Sequence, residues 1–318
     1  MTTAANPLTI SVVIATAFRE RTLRTTLESV AAQTRRPTEV VIVDGAPAPG
    51  VESLTASLGR ELDLPVVYRR TAPPSAALQR NLGVSVAAGD IVLFLDDDGY
   101  PEPDCFEKML DILDGDTEGR VGGVGVLIRN QLCPPPSPKA KRWLDFLADE
   151  PLPSYSGKVL GPAIAVGTEP SALHDVVQVD WLNSGCTAYR KKALPDEGFN
   201  RRFFGYSYME DVDLSLRVAR HHALVVHRGA FMYHDSQPSR FKAPYARARM
   251  VVQNRYYVMT VTLGRTSVGH HSTFLASIVV PLLVSIRSIR SGRDAADWFL
   301  TLGGTLAGLI AFSEVSRR

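Results

Sequence analysis

The chain has 318 residues, 45% of them hydrophobic, enough for one large or two small globular units, and no internal repeat points to a solenoid. Three cysteines, Cys105, Cys133 and Cys186, without a CxxC pair, argue against a disulfide framework or a zinc site and fit a reducing compartment. The net charge of +2 hides an asymmetry: residues 236–318 carry 11 Lys/Arg against 3 Asp/Glu, a balance of +8, and residues 1–235 carry 24 against 30, a balance of −6. The basic tail therefore calls for an anionic partner. A membrane surface fits; nucleic acid does not, because no nucleic-acid-binding motif accompanies the charge. The opening "MTTAANPLTI" lacks the basic-then-apolar pattern of a signal peptide.

In chain order, "SVVIAT" (11–16) reads as a buried strand, and residues 19–34 as a helix with Leu23, Leu27 and Val30 on one stripe. "EVVIVDGA" (39–46) is a second strand ending at Asp44, followed by a helix over 51–61 and a third strand, "PVVYRR". A helix over 74–90, stopped by Gly89, leads into a fourth strand, "IVLFLDDD". This alternation predicts an α/β fold, a mostly parallel sheet flanked by helices, with ligands at the carboxyl ends of the strands. Residues 129–180, with "CPPPSPK", read as a long surface excursion without regular structure, suited to a lid. Regular pattern resumes at "VVQVDWLNSGCTAYR" (176–190), then a helix over 209–223 with Val212, Leu216 and Ala219 inward, then a strand, "ALVVH". The tail holds apolar stretches of 13 residues (274–286) and 15 residues (298–312), separated by Arg287, Arg290 and Arg293. A membrane crossing takes about 20 residues. With Pro281 and the Gly303–Gly304 pair weakening the stretches, the tail is expected to lie in a membrane interface without crossing. Arg240, Lys242, Arg247, Arg249 and Arg255 precede it on an expected amphipathic helix, with Tyr245, Met250 and Tyr257 as interface contacts.

Three consecutive aspartates, Asp96, Asp97 and Asp98, end the fourth strand, and their mutual repulsion must be offset. A divalent cation does this well, and hard oxygen ligands favour Mg2+ or Mn2+. Glu210 and Asp211 open a later helix; as acidic first-turn residues they suit the helix dipole, and as a like-charged pair one of them gains the proton affinity a general base needs. His234 and His227 are alternative late metal ligands between which the residues alone do not choose.

The order of strand–Asp44, "QRNLGVSVAAGDIVLFLDDD", "WLNSGCTAYRKKAL", "MEDVDLSLR" and a final His resembles the family-2 inverting glycosyltransferases of GT-A fold, over roughly residues 9–240. The resemblance implies a nucleotide-diphosphate sugar as donor, a glycan or lipid-linked glycan as acceptor, and a place at the cytoplasmic face of the cell membrane in envelope polysaccharide synthesis. It assigns Asp44 to the nucleotide base, Thr16 and Arg19 to the loop contacting the nucleotide, and Arg80 and Asn81 to the ribose and diphosphate. Asp96 and Asp98 match the DxD motif, Asp98 as direct metal ligand and Asp96 nearer the ribose, with Asp97 among the donor-binding residues. Asp211 matches the general base with Glu210 beside it, His234 matches the late metal ligand, and Trp181, Asn183 and Ser184 match the acceptor side. The chain departs from the family at Phe18, where Asn is frequent, and at Asp44-Gly45-Ala46-Pro47.

The implied halves are residues 1–125 for the nucleotide sugar and 126–239 for acceptor and catalysis, with 240–318 as a basic, apolar helical tail. A sugar-nucleotide-forming nucleotidyltransferase would need a Gly- and Lys-rich phosphate loop, and "ATAFRERT" is not one. A non-catalytic nucleotide-sugar-binding module on the membrane would need no base. For the tail, a homo-oligomer contact is the alternative to lipid.

Overall fold

The computed structural model describes residues 7–47, 51–205, 207–236 and 243–311. Arg240 and Lys242 of the expected tail helix lie outside these residues. The chain divides into two compact units, one of residues 1–134 with 168–237, the other of residues 135–167 with 238–318.

In the first unit the elements are β1 (Ile10–Thr16), α1 (Glu20–Ala31), β2 (Glu39–Asp44), α2 (Glu52–Glu61), β3 (Val66–Arg70), α3 (Ala76–Val86), β4 (Ile91–Asp96), β5 (Gly99–Pro101), α4 (Cys105–Gly115) and β6 (Val121–Ile128). The second unit supplies α5 (Pro138–Leu147) and the short hairpin of β7 (Val159–Leu160) and β8 (Ile164–Ala165). The first unit resumes with β9 (Val176–Val179), β10 (Cys186–Arg190), α6 (Glu210–Val218) and β11 (Ala223–His234). The tail forms α7 (Pro244–Tyr257), α8 (Val268–Ser285) and α9 (Gly292–Ile310).

Nine strands form one sheet in the order β3-β2-β1-β4-β10-β6-β11-β5, with β9 also on β11. β3, β2, β1 and β4 run parallel, as do β6 and β11. β10, β5 and β9 run against their neighbours. The expected strand–helix alternation holds over the first half, and the antiparallel strands enter where it stops. Both faces are buried. Val12, Ile14, Val40, Ile42, Leu93 and Leu95 pack on one side, and Val13, Val41, Val43, Val92 and Phe94 on the other. That is why these strands read as continuous apolar runs. Leu23, Leu27 and Val30 of α1 are fully buried, as their spacing requires. α3 lies tight on β1 because a Cβ on Gly83 would come within 2.3 Å of Val13 Cγ1.

Two local readings change. α6 buries Val212, Leu214, Ser215 and Val218, while Leu216 is only partly covered and Ala219 is exposed. The helix also buries polar groups, including Glu210 and Asp213, so one apolar stripe does not describe it. The Pro-rich excursion is not structureless throughout, because Pro138 opens α5. Proline is tolerated at the first helical position, and Ser137 caps the helix by accepting from the Ala140 N–H at 3.2 Å.

In the second unit α9 packs on α7 through glycines: a Cβ on Gly304 would lie 2.2 Å from the Tyr245 carbonyl oxygen, and one on Gly308 would lie 2.8 Å from Val252 Cβ. The glycines thus serve packing and leave α9 unbroken over 19 residues. Pro281 likewise lies inside α8 without ending it. Together with the turn that follows, α8 makes Val268–Ser288, 21 residues, long and apolar enough to cross a membrane. Counting only the 13 apolar residues of this segment understates the helix, because its capped start at Ser267 adds a polar first turn. Arg255 is not a surface residue: it is buried, donating to Pro162 O at 2.9 Å and Ser277 Oγ at 2.7 Å, with its guanidinium 5.4 Å from the Phe274 ring centre.

Candidate active site

The site grows from the carboxyl ends of β1 and β4, where the sheet order reverses around β1 and leaves a crevice. The three aspartates diverge to three sets of partners. Asp96 Oδ1 accepts from Arg80 Nη2 at 2.8 Å. Asp97 is buried and turned back to β1, accepting from Thr16 Oγ1 at 2.7 Å and Arg19 Nη1 at 2.7 Å. Asp98, also buried, accepts from Arg19 Nη1 at 2.9 Å and faces His234 Nε2 at 3.1 Å. The repulsion expected at the strand end is thus partly offset by Arg19 and Arg80. Burial pushes the Asp97 carboxyl up to about 6 despite Arg19 and Thr16. The hydrogen bond to Asp98 raises the His234 imidazole, against the opposing effect of burial.

Asp96, Asp98 and His234 each offer a ligand atom, and these atoms lie within 4.8 Å of one another. Two carboxylates and an imidazole suit a divalent cation of the Mg2+ or Mn2+ kind. The histidine is also held at its ring and its backbone, and Ser236 Oγ, 3.3 Å from Nδ1, can accept the ring N–H that a histidine ligating through Nε2 carries. Its Nδ1 meets Gln131 Nε2 at 3.1 Å, its backbone N–H donates to Asn130 Oδ1 at 3.0 Å, and Asn130 Nδ2 donates back to its carbonyl at 2.9 Å. No sequence signal marked Asn130 or Gln131. His227, the competing histidine, stands outside this group, with Nδ1 accepting from the Gly229 N–H at 3.0 Å.

The acidic pair opens α6 after a turn in which Ser207 and Met209 have left-handed backbone, φ 57° and 73°. Glu210 is buried and paired with Arg80. Burial pushes its carboxyl up to about 8, outweighing the opposing pull of Arg80. Asp211 is partly exposed, and burial raises it as well, against the Val212 N–H that donates to its Oδ1 at 2.8 Å. On the segment expected to face the acceptor, the Gly185 carbonyl accepts from the Asp96 N–H at 3.0 Å. A Cβ at Gly185 would lie 3.2 Å from Asp96 Oδ2, so glycine lets this turn approach the acid cluster. Asn183 is exposed there and Trp181 partly so, while Ser184 is buried.

Three expected donor contacts have other work. Asp44 is wholly buried, accepting from the Ala46 N–H at 2.8 Å and the Tyr68 hydroxyl at 2.9 Å. Asn81 clasps the loop at 197–199, donating to Phe199 O and accepting from the Phe199 N–H, both at 2.7 Å. Arg80 is buried between Asp96 and Glu210. Its α3 neighbour Gln79 donates to the carbonyls that end β1 and β2, Thr16 O at 2.8 Å and Val43 O at 2.7 Å. One residue gains importance: Phe18, beyond the end of β1, is 65% exposed and left-handed, φ 61°. Its departure from the family pattern was legible; its backbone was not.

Comparison with known proteins shows what the chain resembles. Residues 11–138 match the family described as Glycosyl transferase family 2. The chain is 32% identical over 120 residues to the Glucosyl-dolichyl phosphate glucuronosyltransferase of Haloferax volcanii, and 36% identical over 101 residues to the Uncharacterized glycosyltransferase YwdF of Bacillus subtilis. The matches cover 37% and 31% of this chain, and 38% and 36% of those relatives' own lengths. Among solved structures, the mannosyltransferase PcManGT from Pyrobaculum calidifontis, in complex with GDP-Man and Mn2+, superposes with TM-score 0.54 at 14% identity, covering 97% of this chain and 88% of that one. S. aureus TarS 1-349 superposes with TM-score 0.54 at 17% identity, covering 95% and 81%. The fold is the GT-A α/β fold of these solved structures, and the resemblance to family-2 glycosyltransferases lies in residues 11–138.

Proposed function

We propose that the protein is a metal-dependent inverting glycosyltransferase that moves a sugar from a nucleotide-diphosphate donor to a hydroxyl of a glycan or lipid-linked glycan. The observation that carries this reading is the convergence of Asp96, Asp98 and His234 at the crevice beside β1. Relatives named as glycosyltransferases, and a structural neighbour holding GDP-Man and Mn2+, support it. Asp98, Asp96 and His234 are the residues to hold Mg2+ or Mn2+. Such a cation, when bound, neutralises charge growing on a departing diphosphate.

The remaining steps belong to the chain's own residues. Asp211, raised and reachable, takes the proton from the acceptor hydroxyl as that oxygen attacks the anomeric carbon from the face opposite the leaving group. An α-linked donor then gives a β-linked product. Trp181 and Asn183 line the acceptor side, and Ser184 supports them from within. Phe18 offers its exposed ring to the nucleobase, and Asp44, buried at the end of β2, braces the turn at Ala46. Arg19 and Thr16 fix Asp97, and Arg19 also Asp98, at the edge of the donor site.

For the tail we infer an anionic membrane surface on the cytoplasmic side. α8 and α9 expose Leu283, Val284, Phe299 and Leu300, with Arg287 and Arg290 exposed between them and Arg293 exposed in the first turn of α9. If α8 crossed a membrane, these arginines and the catalytic domain would lie on opposite sides. Basic loops stay cytoplasmic, and so does a domain that draws on cytoplasmic nucleotide sugars; both conditions hold only if α8 lies in the interface. The test of the whole reading is a screen of purified protein with UDP-, dTDP- and GDP-sugars and Mn2+, by thermal shift and nucleotide release. One donor class should stabilise the protein and be turned over. No response to any donor sinks the reading.

A further inference from the structure

We propose that Arg80 is a positioning residue that ties Asp96 of the cation site to the acidic pair of α6, holding metal ligand and base in one frame. This rests on the reading of Asp96, Asp98 and His234 as a cation site.

Arg80 has both terminal nitrogens on carboxylates. Its side chain is 6% exposed, on the buried face of α3. Nη2 donates to Asp96 Oδ1 at 2.8 Å, and Nη1 donates to Glu210 Oε1. The guanidinium carbon lies 5.5 Å from the ring centre of Phe199, itself clasped by Asn81. The planar fork is therefore fixed by packing as well as by two carboxylates. On the Asp96 side this divides the two oxygens. Oδ1 is taken by Arg80, and Oδ2 lies toward Gly185. Arg80 thereby sets which way this ligand turns, as outer partners of metal ligands do. On the α6 side, Glu210 is the residue before Asp211, so fixing Glu210 fixes where the helix begins. The same turn is tied to the start of α3 by the backbone: the Ala76 N–H donates to Gly205 O at 3.3 Å, and the Ala77 N–H to Ser207 Oγ at 3.4 Å.

The sign of the charge makes the point sharper. A buried cation beside a carboxylate competes with any metal that carboxylate would bind. Electrostatics alone therefore predicts that removing Arg80 tightens metal binding, whereas positioning predicts that it loosens. A lysine keeps the charge but offers one nitrogen, and one nitrogen does not span two carboxylates as the guanidinium fork does.

The experiment titrates Mn2+ against donor-free, full-length protein, following free Mn2+ by electron paramagnetic resonance, with circular dichroism and thermal unfolding as checks of folding. Wild type, Arg80→Gln and Arg80→Lys are compared, and kcat is then measured at saturating Mn2+. Wild type binds Mn2+. Arg80→Gln and Arg80→Lys bind it about ten- to hundredfold more weakly. In both variants kcat stays below wild type even at saturating Mn2+, because the α6 end of the bridge is also lost. Folded Arg80→Gln that binds Mn2+ as tightly as wild type, or more tightly, overturns the proposal. If Arg80→Gln does not fold, Arg80→Lys decides by the same comparison, equal affinity again counting against. Recovery of full kcat by Arg80→Lys at saturating Mn2+ overturns the link to α6. If wild type binds no Mn2+, the cation-site reading itself fails and this inference falls with it.

Discussion

Arg19 and Arg80 lie against carboxylates at the strand ends, half-buried and buried, whereas Arg287, Arg290 and Arg293 stand exposed from the end of one apolar helix into the first turn of the next. The same residue type is used in two ways. In the first unit each arginine fixes the direction of a named carboxylate, and removing one partner strands a buried charge, which costs about 3–5 kcal/mol. In the tail the arginines have no fixed geometry to lose, and each contributes about 1 kcal/mol near an anionic surface. Perturbation of the first region should be abrupt and specific; perturbation of the second should be graded and sensitive to salt.

The largest effect expected is loss of the cation. EDTA should abolish transfer, and Asp98→Asn and His234→Ala should each weaken donor binding, measured by titration with the nucleotide sugar. Full turnover in chelator would remove His234 from the site. Next comes the base. Asp211→Asn should keep donor binding and lose transfer by about two to four orders of magnitude, with Glu210→Gln less severe. A dead Glu210→Gln beside an active Asp211→Asn would reverse the assignment. Because burial raises the Asp211 carboxyl and the base must be deprotonated, activity should rise with pH through a limb above the usual carboxylate range. A limb at an ordinary carboxylate pH would show that the base is fully solvated.

Smaller effects separate the edges of the two regions. Phe18→Ala should raise the donor KM about tenfold with kcat little changed, the scale of one lost base–aromatic stack. Phe18→Asn should lose the same contact yet unfold at higher temperature, since Asn tolerates the left-handed backbone that Phe18 occupies at φ 61°. Equal donor KM in all three proteins would leave that strain without a use. Least dramatic is the tail: replacing Arg287, Arg290 and Arg293 by Glu should reduce flotation with anionic liposomes without ending it, as should high salt, because the apolar face remains. Indifference of flotation to both would favour a buried assembly contact.

β1 to β4 and α1 were legible because buried parallel strands and one-sided helices write themselves as apolar runs and stripes, whereas β5 to β8 were not anticipated. The acid cluster was legible because three adjacent aspartates need an explanation. α3 was not. A pattern that places Gln and Arg on the surface misreads a helix that buries Gln79 and Arg80. Arg255 was misread for the same reason, its charge being satisfied by a carbonyl and a hydroxyl distant in sequence. Asp44 and Asn81 show a different limit. Their positions follow the family pattern, but only the structure shows that their polar atoms are spent on Ala46, Tyr68 and the loop at Phe199. The start of α5 at Pro138 was hidden by a rule that holds in helix interiors and lapses at the first turn.

Gln79, Arg80 and Asn81 are consecutive, and successive helical residues point about 100° apart. Gln79 reaches the ends of β1 and β2, Arg80 reaches β4 and α6, and Asn81 reaches the loop at 197–199. One turn of helix thus works as a hub from which three spokes run to separate parts of the wall. A one-residue insertion or deletion ahead of Gln79 would rotate all three spokes off their rims at once, and no change at any single rim could compensate. Change of specificity in this chain is therefore easier through the segments that border the crevice than through α3, whose register is locked by three contacts that have to move together.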